Sequence, residues 1–222
     1  MARLARTVVP GYSHHITQRG NRRLPVFFSD EDYQAYVDLV AEHAAAQGVA
    51  IWAWCLMPNH VHLIAVPETP EALARALGEA HRRYTRRVNF REGWRGHLWQ
   101  ERFFSCVLDA RHALAAARYV ERNAARAGLV KRAWAWPWSS AAGHVSGRGD
   151  ALVKAGGPLA AEVADWRAFL GREEDEATVR AIRLHARTGR PLGSARFVAR
   201  LERRLDRRLA PRKPGRPRKG EK

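Results

Sequence analysis

The feature that most constrains this fold is a connection of two residues. Residues 49–57, VAIWAWCLM, are an unbroken apolar run of strand length, residues 60–66, HVHLIAV, are another, and only Pro58 and Asn59 separate them. A link that short cannot carry a crossover, so the two runs must lie side by side as antiparallel strands. A lone hairpin is marginal in water, and the rest of the chain has to cover it.

The flanking sequence supplies that cover. Residues 12–19, YSHHITQR, read as a strand, and the turn-prone, basic RGNRRLP follows over residues 19–25. Ser29 begins a helix with Asp32 as its capping-box partner, Tyr33, Tyr36, Val37, Val40 and Ala44 as its apolar stripe and Gly48 as its stop. After the hairpin, Thr69-Pro70-Glu71 opens a second helix, with Pro at the first helical position, whose Leu73, Leu77, Tyr84 and Val88 share a face to about residue 90. RFFSCVL, residues 102–108, reads as a further strand, and Asp109 caps a helix that continues to Gly128. The order β, α, β, β, α, β, then another helix, predicts an α+β protein. Its architecture is a ferredoxin-like split βαβ antiparallel sheet with helices on one face, in which the strand bearing His60 and His62 is central.

Beyond about residue 145 the composition changes to Arg-rich helical patches between loops. Residues 1–145 therefore read as the globular domain, 146–210 as a basic, largely helical DNA-binding extension and 211–222 as a disordered basic tail. The chain holds 39 Lys and Arg against 22 Asp and Glu, a net charge of +17. Residues 172–222 alone hold 17 basic and seven acidic side chains, or +10. That excess predicts a polyanionic partner, of which nucleic acid is the commonest. Arginine outnumbers lysine 34 to five, which suits bidentate phosphate and base contacts, although codon bias in a GC-rich genome would produce the same preference. Cys55 and Cys106 are the only cysteines and form no CxxC pair, which argues against a disulfide framework and a thiolate zinc site. No apolar run reaches membrane-spanning length and the first residues lack a signal-peptide core, so a cytoplasmic, nucleoid-associated protein with no membrane partner is expected. No P-loop motif is present, and no nucleotide cofactor is expected.

The chemistry is concentrated in two places. On a strand His60 and His62 must point the same way, with Val61 and Leu63 behind them, and two imidazoles a pleat apart can grip one divalent cation. The alternative is a pair of core or surface histidines. In the helix after Asp109, His112, Tyr119 and Asn123 run down one flank beside the stripe Ala113, Leu114, Ala117, Val120 and Ala124. A helical tyrosine is ordinarily a packing residue, but beside a metal-polarised phosphodiester its phenolate is a nucleophile.

Five stretches, HITQRGNRR (15–23), MPNHVHLI (57–64), GHLWQERFFSCVLD (96–109), YVERNAARAGLV (119–130) and WPWSSAAGH (136–144), resemble the HUH single-tyrosine transposases in order, in particular the branch associated with repetitive extragenic palindromes. The resemblance spans about residues 8–145. It implies that His60 and His62 bind a catalytic Mg or Mn ion, that Asn123 stands where relatives place a third ligand, and that Tyr119 is the nucleophile. The implied reaction is metal-dependent cleavage and rejoining of single-stranded or hairpin DNA through a 5′-phosphotyrosine, by a monomer or homodimer. DNA contacts are expected from Arg19, Arg22 and Arg23, from Arg82, Arg83, Arg86, Arg87, Arg91 and Arg95 on the second helix, and from Arg216 and Arg218 in the AT-hook-like PGRPRK. For the second-helix arginines, a solvated helix face explains the pattern equally well. Two rivals remain at this stage. A metal-free two-histidine phosphoesterase acting on RNA or nucleotides would use His15-Ile16-Thr17 and His60-Val61-His62, and a non-catalytic DNA-binding protein would need neither.

Overall fold

The structure is a computed structural model and describes residues 6–211. Strand β1 (His14–Arg19) leads to helix α1 (Asp30–Ala46), the hairpin of β2 (Val49–Met57) and β3 (His60–Pro67), helix α2 (Ala72–Glu92) and strand β4 (Phe104–Val107). The sheet order is β2-β3-β1-β4 with every pair antiparallel. This is the split βαβ arrangement, with β3 inside the sheet as its apolar run requires. Met57 pairs with His60 across the Pro58-Asn59 turn.

Residues opposite one another in the register share a face of the sheet. Ile16, Trp54, Leu56, Val61, Leu63 and Ala65 face α1 and α2, where Tyr36, Val40, Leu73, Leu77, Tyr84 and Val88 complete a buried core. Leu63 and Leu77 are 0% and 1% exposed, each contributing about 1.5–3 kcal/mol of transfer free energy. The reverse face, with Ala53, Cys55, Met57, Ile64 and Cys106, is covered by helix α3 (Ala110–Glu121). The expectation of helices on one face thus holds for α1 and α2, the two helices within the split βαβ, while the helix after it takes the other side. His60 and His62 point into that second interface.

Three local expectations change. The helix from Asp109 does not run unbroken to Gly128: α3 ends at Glu121, Arg122 sits at φ −80°, ψ 0°, and a short α4 (Asn123–Arg126) follows. At this point the Arg122 side chain reaches out of the helix to the carbonyl oxygens of Leu170 and Arg172 and to Glu174. Ser29 precedes α1, but its side chain makes no capping hydrogen bond. Asp32 instead accepts from the Phe28 N–H at 3.0 Å and pairs with Arg91, because a carboxylate that is 0% exposed needs a cation. Arg91 is therefore committed to a structural ion pair. Finally, α2 starts at Ala72, so Pro70 precedes the helix instead of opening it.

The later chain closes two edges. Leu56 N donates to Trp138 O at 2.8 Å and Ser140 N to Trp54 O at 3.0 Å, so the WPWSS stretch covers the free side of β2. After α5 (Ala141–Ser146), α6 (Trp166–Gly171) and α7 (Glu176–Thr188), Leu192 N donates to Val107 O at 2.8 Å beside β4. Helix α8 (Ala195–Leu205) then packs Phe197 and Leu201 on Val9, Val107 and Leu209. The expected tail, with Arg216 and Arg218, lies outside the described residues. Among the described residues no helix is long and apolar enough to cross a membrane.

Candidate active site

A cluster of His15, His60, His62, Tyr119 and Asn123 lies where β1 and β3 meet α3 and α4. Ala113, Ala116, Ala117 and Ala124 are all 0–2% exposed, and side chains this small let the helix approach the sheet closely. Tyr119 is brought down onto the histidines: its ring centroid is 5.8 Å from that of His62 and 6.0 Å from that of His15, both edge-on. The rings of His60 and His62 are 5.0 Å apart.

Hydrogen bonds set which nitrogen of His60 is bare. Its Nδ1 lies 2.6 Å from Asn59 Oδ1, an acceptor, so Nδ1 carries the proton and Nε2 presents a lone pair inward. Asn123 Nδ2 donates to that Nε2 at 3.3 Å, and Asn123 Oδ1 accepts from Arg126 Nη2 at 3.0 Å. His62 Nδ1 meets His15 Nε2 at 2.9 Å. Burial, then Arg19 and Arg126, pushes His60 down to about 4. Burial, then His15, His60, Arg126 and Arg19, holds His62 well below the usual histidine range. Both are neutral at physiological pH, the state a ligand requires.

Not every expected residue joins this constellation. His60, His62, Tyr119 and Asn123 do, whereas His112 is held 2.6 Å from Asp109 at the helix start. Arg19 pairs in register with His60 and is exposed at the end of β1. Arg22 and Arg23 are exposed in the turn beyond it, both left-handed at φ 53° and 64°, and the Arg23 carbonyl accepts from Asn59 Nδ2 at 2.9 Å. That link ties the basic turn to the hairpin carrying His60. Arg82, Arg83, Arg86 and Arg87 are exposed on α2, on the far face of the sheet from Tyr119, and Arg82 and Arg83 pair with Glu79. Arg91 is tied to Asp32 as described.

The sequence reading passed over Arg126. Its guanidinium carbon stands 4.0 Å from the Tyr119 ring centroid, its Nη2 donates to Tyr119 O at 3.1 Å, and its Nη1 pairs with Glu174 at 2.7 Å. The signal was present, since Tyr119, Asn123 and Arg126 fall at i, i+4 and i+7, one helical face. Glu174, 48 residues further on, had no local signal at all.

The donor set fits a divalent cation on its chemistry. Two neutral imidazoles face inward with the Asn123 amide beside them; among the described residues no group of three or more His, Cys, Asp or Glu could hold a metal ion. The geometry is unfavourable to the two-histidine phosphoesterase. In that reading the paired histidines would be His15 and His60, but the register sets His15 opposite Ile64 and Arg19 opposite His60, four positions apart.

A family model described as IS200-like transposase matches residues 8–123. Among solved structures, a REP-associated tyrosine transposase bound to a REP hairpin is 22% identical, with a TM-score of 0.57 over 66% of this chain and 86% of that one. A putative transposase from Deinococcus radiodurans is 21% identical and covers 55% of this chain and 97% of its own, with a TM-score of 0.39. No curated protein matches.

Proposed function

The chain belongs to the IS200-like transposase family, and from that premise we propose that it cleaves and rejoins single-stranded DNA at hairpin substrates through a covalent 5′-phosphotyrosine on Tyr119. The observation that carries this reading is the convergence of Tyr119 on His62, 5.8 Å between ring centroids, with the Asn123 amide 3.3 Å from His60 Nε2. His60, His62 and Asn123 would hold a Mg or Mn ion. When bound, that ion supplies Lewis-acid stabilisation of the charge gathering on the scissile phosphate.

Each residue of the chain then has a task. The Tyr119 oxygen attacks phosphorus as the bond to the 3′-oxygen of the preceding nucleotide breaks, and the proton given up by the phenol is balanced by the one the departing 3′-oxygen takes up, by way of solvent, to become a free hydroxyl. One phosphoester replaces another, so resealing by attack of a 3′-hydroxyl needs no nucleotide cofactor. Arg126, fixed above the Tyr119 ring with its Nη1 paired to Glu174, would stand as a guanidinium beside the nucleophile. Asn59 keeps His60 in the tautomer that can ligate. Ligation through Asn123 Oδ1 competes with its bond to Arg126, a charge-assisted contact of about 1.5–3 kcal/mol.

Arg19, Arg22 and Arg23 lie on the hairpin side of the site and are the arginines best situated to meet the scissile strand. Two successive non-glycine residues at positive φ cost about 1–3 kcal/mol each, and strain of that kind is retained where a turn has a task. The α2 arginines are on the other face and suit duplex or stem contacts. The basic extension, residues 146–210, packs through Leu159, Trp166, Leu170, Ile182 and Leu192 on the α3 side of the sheet and would offer a hairpin stem further positive charge there.

A labelled single-stranded hairpin tests the proposal. A covalent protein–DNA adduct that needs Mn or Mg and disappears in Tyr119→Phe is the expected result; cleavage that survives EDTA, or binding with no adduct under any metal, would overturn it.

A further inference from the structure

His15 does no chemistry in the mechanism above, yet it is 1% exposed and touches both His62 and Tyr119. It lies on β1 diagonally across from His62, whose direct partner in the register is Thr17. The two imidazoles stack 5.2 Å apart at 15°, with Nε2 of His15 2.9 Å from Nδ1 of His62. No other hydrogen bond of the His62 ring is recorded among the described residues.

Two neutral imidazoles in contact share one proton, so one ring must donate. If His15 Nε2 donates, the His62 proton resides on Nε2 and blocks the only nitrogen that could face a cation. If His62 Nδ1 donates, His62 Nε2 is a bare lone pair and the His15 proton resides on Nδ1. That Nδ1 is buried with no hydrogen-bond partner among the described residues. In either tautomer His15 Nδ1 remains unpaired, so the arrangement carries a desolvation penalty that packing alone does not explain. Leu or Phe would fill the site without one. His60 meets the same requirement through Asn59 Oδ1. His15 cannot be a ligand in its own right while its Nε2 is engaged with His62.

We propose that His15 is a positioning residue: through the 2.9 Å contact it accepts the Nδ1 proton of His62, and so selects the tautomer in which His62 Nε2 can bind the divalent cation. The role is that of the second hydrogen bond found behind most metal-bound histidines, here supplied by another histidine in place of a carboxylate or carbonyl. The inference rests on the metal site proposed above and deepens it.

The test measures metal binding directly, without DNA. Mn2+ is titrated into the full-length protein and free Mn2+ is followed by electron paramagnetic resonance, for wild type, His15→Phe and His15→Gln, with thermal melts alongside. His15→Phe keeps the ring volume and removes the acceptor, and should weaken Mn2+ binding about 10–100-fold. His15→Gln offers an amide oxygen to His62 Nδ1 and should recover most of the loss. Nitrogen-15 correlation spectra of the Mg2+-loaded wild type should report His62 with its proton on Nδ1. A folded His15→Phe that binds Mn2+ as tightly as wild type overturns the proposal. Should His15→Phe fail to fold, the wild-type spectrum decides alone: a His62 proton on Nε2 in the loaded protein overturns it. Failure of wild type to bind Mn2+ at all removes the metal site itself, an outcome distinct from either.

Discussion

Acid should unfold this protein early, and by an amount the buried histidines set. His14, His15 and His60 are each pushed down to about 4, with burial the leading cause in every case. For His14 the hydrogen bonds agree, because its Nε2 accepts from Val9 N–H at 3.1 Å and its Nδ1 donates to Tyr12 O at 2.8 Å, an arrangement open only to the neutral ring. In the unfolded chain each histidine titrates near 6.5, so the unfolded state binds more protons throughout the interval from about 6.5 down to 4. Stability is therefore complete above pH 6.5, falls as pH drops through that window and levels off below it. At pH 5 an unfolded histidine is almost fully protonated and a folded one is not, which costs about 2 kcal/mol per group. Three independent groups would remove about 6 kcal/mol, comparable with the whole stability of an ordinary domain. His62, and His81, which burial pushes down to about 3, add to this in the same direction. Urea unfolding followed by tryptophan fluorescence at pH 7.5, 6.0 and 5.0 measures the effect, and His14→Asn should remove about one proton from the slope. A midpoint unchanged between pH 7.5 and 5.0 would refute the claim that these rings are buried and neutral.

Other perturbations separate catalysis from folding. Arg126→Ala removes the contacts to Tyr119 O and Asn123 Oδ1, and single-turnover adduct formation at saturating Mn2+ should slow about 10–100-fold, the equivalent of one charge-assisted hydrogen bond. Arg126→Lys should rescue little, because a lysine cannot present the forked donors. Leu201→Ala, at a site 0% exposed in the α8 contact, should cost about 2–5 kcal/mol; amide exchange should quicken in α8 well before β3. Arg23→Gly relieves a left-handed backbone at φ 64°, and should raise the urea midpoint by the equivalent of about 1 kcal/mol while weakening binding to a single-stranded oligonucleotide.

How much of this could be read in the sequence follows from how local each cause is. The Pro58-Asn59 link fixed the hairpin, and the alternation through Val61 and Leu63 fixed which way His60 and His62 point, because both rules act within a few residues. The apolar stripe of α2 was legible for the same reason: Leu73, Leu77, Tyr84 and Val88 are all buried. The break at Arg122 was not, because no glycine or proline marks it, and the Leu170 and Arg172 carbonyls its side chain meets are distant in the chain. Asp32 does reach back to a backbone N–H, that of Phe28, at the start of α1, but its ion pair with Arg91 was not legible, because nothing near it in the chain reveals that partner. His15 was visible in the HITQRGNRR stretch and in a rival motif, but with no role of its own, and its contact with His62 required the β1–β3 register.

The residues that define the fold and those that tune the site turn out to overlap. Asn59 is half of the two-residue turn that joins β2 to β3; its Oδ1 takes the Nδ1 proton of His60, and its Nδ2 holds the Arg23 carbonyl. The same residue's carbonyl accepts from Gly20 N at 2.8 Å, where a Cβ on Gly20 would come within 2.3 Å of Leu24 O. A substitution at Asn59 therefore acts at once on the hairpin, on the tautomer of His60 and on the basic turn at Arg22 and Arg23. Loss of activity in Asn59→Ala alone would not distinguish these effects. Asn59→Asp would, because it keeps the acceptor for His60 and removes the donor for Arg23: Mn2+ affinity should hold while single-strand binding falls. Mn2+ affinity that falls while single-strand binding holds would refute both assignments, the acceptor role toward His60 and the donor role toward Arg23.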